Sequence, residues 1–201
     1  ATDTGGLSAQ TTFNVKINAV NDPPTTSGIA NLNVAEDAPN SVINLFNAFD
    51  DKEDDPDELT YEVKGNSNDG LFNSVTINQQ AGTLTLDYKD NTSGAATLTI
   101  RATDKGVPGV PASNLFIETS FTVNVGALND PPTLTDFTRN TNEDVPVQFG
   151  LSDFSSKFSD ADGDNLVNVR IQSLPANGTL KLGNDTIIVN QVIPAAQLGD
   201  L

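Results

Sequence analysis

The chain has 201 residues, of which 27 are Asp or Glu and 10 are Lys or Arg, so its formal net charge at pH 7 is −17. This charge disfavours nucleic acid and anionic lipid as partners, and it favours cations or basic partners. Cys and His are both absent, which excludes disulfides and the Ser-His and Cys-His pairs that many enzymes use.

Short β-strands are predicted along most of the chain because apolar and polar residues alternate in brief runs. The first run covers residues 12–18 and places Phe13, Val15 and Ile17 on one face. The others, in chain order, lie at residues 59–63, 84–86, 98–100, 120–125 and 167–171. Turn residues at 81–82, 91–94 and 177–178 separate these runs. Short alternating strands over about 100 residues predict an all-β fold, a β-sandwich.

The chain repeats itself with a period near 108 residues. Asn-Asp-Pro-Pro-Thr at residues 21–25 returns unchanged at residues 129–133, and a period of this size is a whole small domain. We therefore expect a slice of a tandem array: residues 1–22 close a preceding repeat, 23–130 form a complete repeat, and 131–201 form an incomplete one. The proline pairs predict short, semi-rigid linkers between repeats.

Acidic residues cluster at equivalent places in successive repeats. Seven lie within residues 50–58, and Asp160, Asp162 and Asp164 form the second cluster. Such a loop either sits in water, where it keeps the protein soluble, or supplies oxygens to a divalent cation. The helix-loop-helix calcium pattern does not fit, because Asn165 and Ile171 stand where it needs Gly and Glu.

The order of these motifs resembles a cadherin repeat. Each copy has a Glu-Asp-x-Pro entry (36–39 and 143–146) and an Asp-x-Glu or Asp-x-Asp loop (51–53 and 160–162). Ala-Thr-Asp-x-Gly (102–106) and a closing Asn-Asp before Pro follow. The chain resembles bacterial cadherin-like and immunoglobulin-like tandem repeats of large surface proteins. Its last part, through residues 174–180 and 192–198, resembles the cadherin-like repeats of chondroitin sulphate proteoglycans.

This resemblance implies tandem cadherin-like sandwiches of immunoglobulin-like Greek-key topology, with Ca²⁺ bound where repeats meet. Carried over to this sequence, it implies the ligands Glu36, Asn129, Asp130, Asp160 and Asp162 at the second boundary, and Asn21, Asp22, Asp51, Glu53 and Asp104 at the first. Cadherin linkers carry a further acid where this chain has Ala19 and Ala127, and Lys89 stands where a ligating Glu is usual. We therefore expect one or two ions at a boundary, fewer than the three of cadherins.

The function predicted from the sequence is that of a calcium-assisted, rod-forming structural and adhesion module, at the cell surface or secreted. Its expected partners are neighbouring repeats of the parent chain, with homotypic contacts or contacts to cell-surface proteins and glycans. An enzyme is not expected. The alternative is a carbohydrate-binding or other ligand-binding β-sandwich. The chain has no Trp, and Tyr61 with most of the ten Phe falls in strand-like runs, where core packing is the expected role.

Overall fold

The computed structural model describes residues 1–16, 20–108 and 113–201. Strands dominate this described part of the chain. Its helices are one α-helix, α1 (Leu151–Ser155), and 3-10 turns at Leu45–Asn47, Asp69–Leu71 and Ala195–Asp200. The predicted all-β sandwich fold is therefore confirmed. Among the helices in the described ranges, none is both long enough and apolar enough to cross a bilayer.

The chain divides into two compact units, and the first comprises Ala1–Val34, Ala38–Lys89 and Ser93–Val125. Its strands are β1 (Thr25–Thr26), β2 (Leu32–Ala35), β3 (Ser41–Asn44), β4 (Phe49–Asp50), β5 (Thr60–Asn66), β6 (Phe72–Asn78), β7 (Thr83–Tyr88), β8 (Gly94–Thr103) and β9 (Phe116–Gly126). One sheet has the order β2-β9-β8-β5, a second has the order β3-β7-β6, and β1 pairs with β4.

The core of the first unit lies between its two larger sheets. Leu84 and Leu86 of β7 are fully buried, as are Leu98 and Ile100 of β8, while their neighbours along each strand are more exposed. This alternation is the period-2 pattern of the sequence expressed in space. Tyr61 also lies in this core, which confirms the prediction that it packs rather than stacks on a ligand.

The second unit comprises Ala35–Asp37, Asp90–Thr92 and Gly126–Leu201. Its further strands are β10 (Thr133–Leu134), β11 (Phe158–Ser159), β12 (Asn168–Arg170), β13 (Lys181–Leu182), β14 (Asp185–Thr186) and β15 (Val192–Pro194). They form two-stranded antiparallel pairs: β10 with β11, β12 with β15, and β13 with β14. Its small core contains Phe154, Ile187, Ile193, Leu198 and Leu201.

The strand predicted at residues 12–18 is wrong for the part that the structure describes. Residues 11–16 belong to no strand, and Phe13 and Val15 are 83% and 74% exposed. A strand requires a neighbour to accept and donate its backbone hydrogen bonds, and among the described residues none pairs with this segment. Ile17 and Ala19, together with residues 109–112 of the loop after Gly106, lie outside the described residues.

Candidate metal centre

Three carboxylates from separate segments of the chain converge in the second unit. Glu36 directly follows β2, Asp130 lies shortly after β9, and Asp162 lies in the loop after β11. One oxygen of each lies within 4.8 Å of the other two. Glu36 is buried, Asp130 is partly buried and Asp162 is exposed. In the described ranges, no Lys or Arg forms an ion pair with any of the three.

Backbone hydrogen bonds hold the first of these carboxylates at the end of its strand. The Glu36 amide donates to the Gly126 carbonyl over 2.9 Å, which continues the alignment of β2 beside β9. The Leu128 amide donates back to Oε1 of Glu36. Both ends of Glu36 are thus fixed to the segment that leads to Asp130.

Asp160 and Asp162 organise the loop after β11. Oδ1 of Asp160 accepts the amides of Asp162 and Asp164 over 3.0 and 3.1 Å, which closes a tight turn around that carboxylate. The Asp130 amide donates to Oδ2 of Asp162 over 2.7 Å. Asp160 therefore shapes the loop, and Asp162 is directed toward Asp130.

The electrostatics of Asp130 favour a bound cation. Its Oδ2 has almost no solvent exposure and has no hydrogen-bond partner among the described residues. Desolvation raises the pKa of this carboxyl group above its usual range, and the nearby charges of Asp37, Asp162, Glu36 and Asp160 raise it further. A buried, unpartnered carboxylate oxygen among like charges is costly. Oxygen ligands of this kind suit a hard divalent cation such as Ca²⁺.

The equivalent acidic residues of the first unit reproduce part of this geometry. The Asp22 amide donates to Oε2 of Glu53 over 3.2 Å. Oδ1 of Asp51 accepts the amides of Glu53 and Asp54 over 2.9 and 3.1 Å. Oδ2 of Asp51 is buried and has no partner among the described residues. The bond from the Asp22 amide to Glu53 and that from the Glu53 amide to Asp51 repeat those of the second cluster one period earlier. The remaining amide differs, because Asp51 accepts that of Asp54 and Asp160 accepts that of Asp164.

The two clusters differ in one positively charged side chain, that of Lys52. Nζ of Lys52 lies 2.7 Å from Oδ2 of Asp22, whereas Ala161 occupies the equivalent place in the second cluster. Asp22 is therefore already paired with an ammonium group. Within the described residues, the first cluster does not form a group of three converging carboxylates.

The remaining predicted residues of the first boundary lie in a different hydrogen-bonded group. Asn21 Nδ2 donates to Oδ2 of Asp104 over 2.8 Å and to the Ser113 carbonyl over 3.1 Å. Asp104 is buried, and its Oδ1 accepts the Leu115 amide over 2.9 Å. At the second boundary, the exposed Asn129 donates from Nδ2 to the Asp130 carbonyl over 3.1 Å.

Two residues that act at these clusters were absent from the predicted ligand set. Asp37 adds negative charge near Asp130, and its Oδ1 accepts the Asn91 amide over 2.9 Å. Lys52 neutralises Asp22. Both residues stand beside predicted ligands in the sequence. The difference between Asp-Lys-Glu at 51–53 and Asp-Ala-Asp at 160–162 could have indicated that Lys52 pairs with a carboxylate of the first cluster.

Comparison with known proteins gives only distant likenesses. No family model and no curated protein matches the chain. Among solved structures, a mouse cadherin-23 crystal structure (EC22-24) aligns with 26% identity and a TM-score of 0.39, covering 53% of this chain and 31% of that one. The human desmocollin-1 ectodomain aligns with 19% identity and a TM-score of 0.41, covering 67% of this chain and 26% of that one.

A third similar structure is an endo-fucoidan hydrolase of glycoside hydrolase family 107. It has 19% identity and a TM-score of 0.35, and the alignment covers 52% of this chain and 14% of the hydrolase. The chain therefore spans less than a third of the length of each of these three proteins.

Proposed function

We propose that this chain is a calcium-assisted structural and adhesion module of a large extracellular protein, built as a rod of tandem sandwich repeats. The observation that carries the proposal is the convergence of Glu36, Asp130 and Asp162, together with the buried Oδ2 of Asp130, which has no hydrogen-bond partner among the described residues. The cadherin-like order of motifs in the sequence supports the same function. We further propose a bacterial cell-surface or secreted protein as the parent.

Calcium would act on three segments that are far apart in the sequence. Glu36 is fixed to the end of β2, Asp130 belongs to the Asn-Asp-Pro-Pro linker, and Asp162 belongs to the loop after β11. An ion held by all three would remove the repulsion between their charges and join the linker to both other segments. In a tandem array, this bond at each linker would restrict bending and give a stiff spacer.

Under this proposal, the predicted ligands have different roles in the second unit and in the first. Glu36, Asp130 and Asp162 would bind the ion directly, with Asp160 holding the loop in place. Asn129 would add an amide oxygen from the linker. In the first unit, Asp22, Asp51 and Glu53 would form a weaker site because Lys52 already neutralises Asp22. Asn21 and Asp104, which bond to each other, would brace that linker.

A thermal melt in Ca²⁺, in Mg²⁺ and in chelator tests the proposal. A ligand that binds only the folded state stabilises it by RT ln(1 + [L]/Kd), about 2.7 kcal/mol at 100 times Kd. We expect a rise in Tm that is specific to Ca²⁺ and that chelator abolishes. The rise should disappear in Asp162→Asn, which keeps the size of the side chain, and should persist in the control Asp185→Asn, an exposed residue of β14.

Identical melting curves in all three conditions would reject the calcium proposal. The acidic residues would then be a solvated surface, and any stiffness of the array would depend on its proline-containing linkers. A Ca²⁺ response that Asp162→Asn retains in full would place the ion elsewhere.

A further inference from the structure

Asn177 and Gly178 lie in an exposed bend of the second unit, at residues 176–178. Gly178 has φ +88°, and a Cβ placed on it would meet no atom within 4 Å. Within the described ranges, neither the side-chain amide of Asn177 nor the backbone amide of Gly178 has a hydrogen-bond partner. These two amides are therefore free to approach each other.

An Asn that precedes Gly can react with its own backbone, and Asn is one of the chemically labile residue types. The Gly nitrogen attacks Cγ of the Asn, the new C–N bond closes a five-membered succinimide ring, and the side-chain nitrogen leaves as ammonia. Water then opens the ring at one of its two carbonyl carbons, which gives aspartate or isoaspartate. Gly favours this ring closure because it has no Cβ and its backbone rotates more freely than that of other residues.

The fold restrains the other Asn residues that precede a small residue. In the part of the chain that the structure describes, each of these is followed by Ser or Ala: Asn40, Asn47, Asn66 and Asn73. The amides of Ala48 and Ser67, which would have to attack, donate instead to backbone carbonyls over 2.9 and 3.0 Å. Ser41 and Ser74 lie in the paired strands β3 and β6. Attack at these positions would disturb backbone pairing that the fold requires.

We propose that Asn177 is a site of spontaneous deamidation, at which the folded chain is converted slowly to aspartate and isoaspartate. The only co-reactant is water, and the only other product is ammonia. The net charge becomes more negative than −17 by one unit. Isoaspartate also adds a carbon atom to the backbone, because the chain then passes through the former side chain. The surface of the second unit at this bend would therefore change with the age of the molecule.

Mass spectrometry of tryptic peptides measures the reaction at each position. Trypsin cleaves after Arg170 and Lys181, and residues 171–181 contain Asn177 as their only Asn. The chain is aged in mildly alkaline buffer and digested briefly beside an unaged sample. We expect peptide 171–181 to gain the mass difference between an amide and an acid, and to separate chromatographically into two products.

A second tryptic peptide of the same sample is the internal control. Residues 65–89 contain Asn66 and Asn73, each followed by Ser, and this peptide should lag well behind peptide 171–181. Deamidation of residues 65–89 at an equal or higher rate would overturn the proposal, as would a peptide 171–181 that keeps its mass on ageing.

A synthetic peptide of residues 171–181 isolates the effect of the fold. Because Asn177 is exposed and the amides are free, the peptide and the folded chain should deamidate at similar rates. A folded chain that reacts more than roughly tenfold slower than the peptide, a difference of about 1.4 kcal/mol in the barrier, would show that the bend restrains Asn177. That result would overturn the proposal.

Two variants test the role of the glycine. Gly178→Ala should slow the loss of the amide roughly tenfold or more, because a Cβ crowds and restricts the attacking residue. The control Thr179→Ala replaces the next exposed residue and keeps the Asn-Gly pair, so it should react like wild type. Equal rates in Gly178→Ala and wild type would contradict the mechanism. The reaction is independent of calcium binding, so failure of either proposal would leave the other standing.

Discussion

The two units should unfold in separate steps, because each has its own core. In the described residues, the first core cluster contains 17 buried side chains and the second contains five. Ile193 is the test position: it lies in β15, is fully buried and pairs with Val169 of β12. Ile193→Ala removes part of the smaller core, and Ile100→Ala removes an equally buried side chain from the larger one.

The expected size of the effect follows from the burial of Ile193. Replacing a fully buried Ile by Ala costs about 2–5 kcal/mol, the sum of lost transfer free energy and the cavity left behind. A unit of about 80 residues has a free energy of unfolding of about 4–12 kcal/mol, and one with so few buried side chains lies at the lower end of that range. The substitution should therefore lower the melting temperature of the second unit by at least about 10 °C, or leave it unfolded.

Differential scanning calorimetry at low protein concentration measures both transitions in one scan. We expect Ile193→Ala to move only the lower transition and Ile100→Ala to move only the upper one. Ca²⁺ should move the lower transition, because Glu36, Asp130 and Asp162 all belong to the second unit. A single cooperative transition, shifted equally by both substitutions, would refute the assignment of two independent cores.

Three further outcomes are expected. Gly82 has φ +58°, and a Cβ there would overlap the Phe46 ring, so Gly82→Ala should destabilise the first unit by roughly 1–3 kcal/mol in urea denaturation; an unchanged midpoint would contradict this. The fold raises the pKa of the Asp130 carboxyl group above its ordinary 3.8, so in chelator its ionised form destabilises the folded chain. The free energy of unfolding should therefore rise as the pH falls through the raised pKa, and this rise should level off below 3.8. Thermal melts across pH should show this gain in wild type and lose it in Asp130→Asn. Lys52→Ala frees the Asp22 carboxylate from an ammonium group 2.7 Å away, so calorimetric titration should show tighter Ca²⁺ binding at the weaker site of the first unit. An unchanged binding isotherm would argue against a site there.

The fold was predictable where a strand has its partners within the chain. The runs at 84–86, 98–100 and 120–125 all lie in observed strands, because period-2 alternation there reflects burial between two sheets. The run at 12–18 has the same alternation, yet its described part forms no strand. Alternation of apolar and polar residues shows which face of a segment would be buried if the segment joined a sheet. Whether it joins a sheet depends on residues far away in the sequence.

For the second cluster, the sequence predicted three residues that the structure brings together, and their role as metal ligands stays a prediction. The repeat and the cadherin-like order of motifs select Glu36, Asp130 and Asp162, which the structure brings within 4.8 Å of one another. They do not reveal that Oδ1 of Asp160 accepts two amides of its own loop. Asp160 shapes a local turn, and the sequence Asp-x-Asp is the same whether its first Asp shapes a turn or binds an ion directly.

The first cluster shows how one residue changes the chemistry of a repeated motif. Asp22, Asp51 and Glu53 make the same backbone hydrogen bonds as Asp130, Asp160 and Asp162, and in both clusters one carboxylate oxygen is buried without a partner among the described residues. Lys52 supplies a positive charge in the first cluster, where Ala161 supplies none in the second. Repulsion among carboxylates can be relieved by an internal ammonium group or by an external ion. If calcium stiffens the array as proposed, boundaries with Ala at this position would respond to calcium, and boundaries with Lys would hold part of their structure without it.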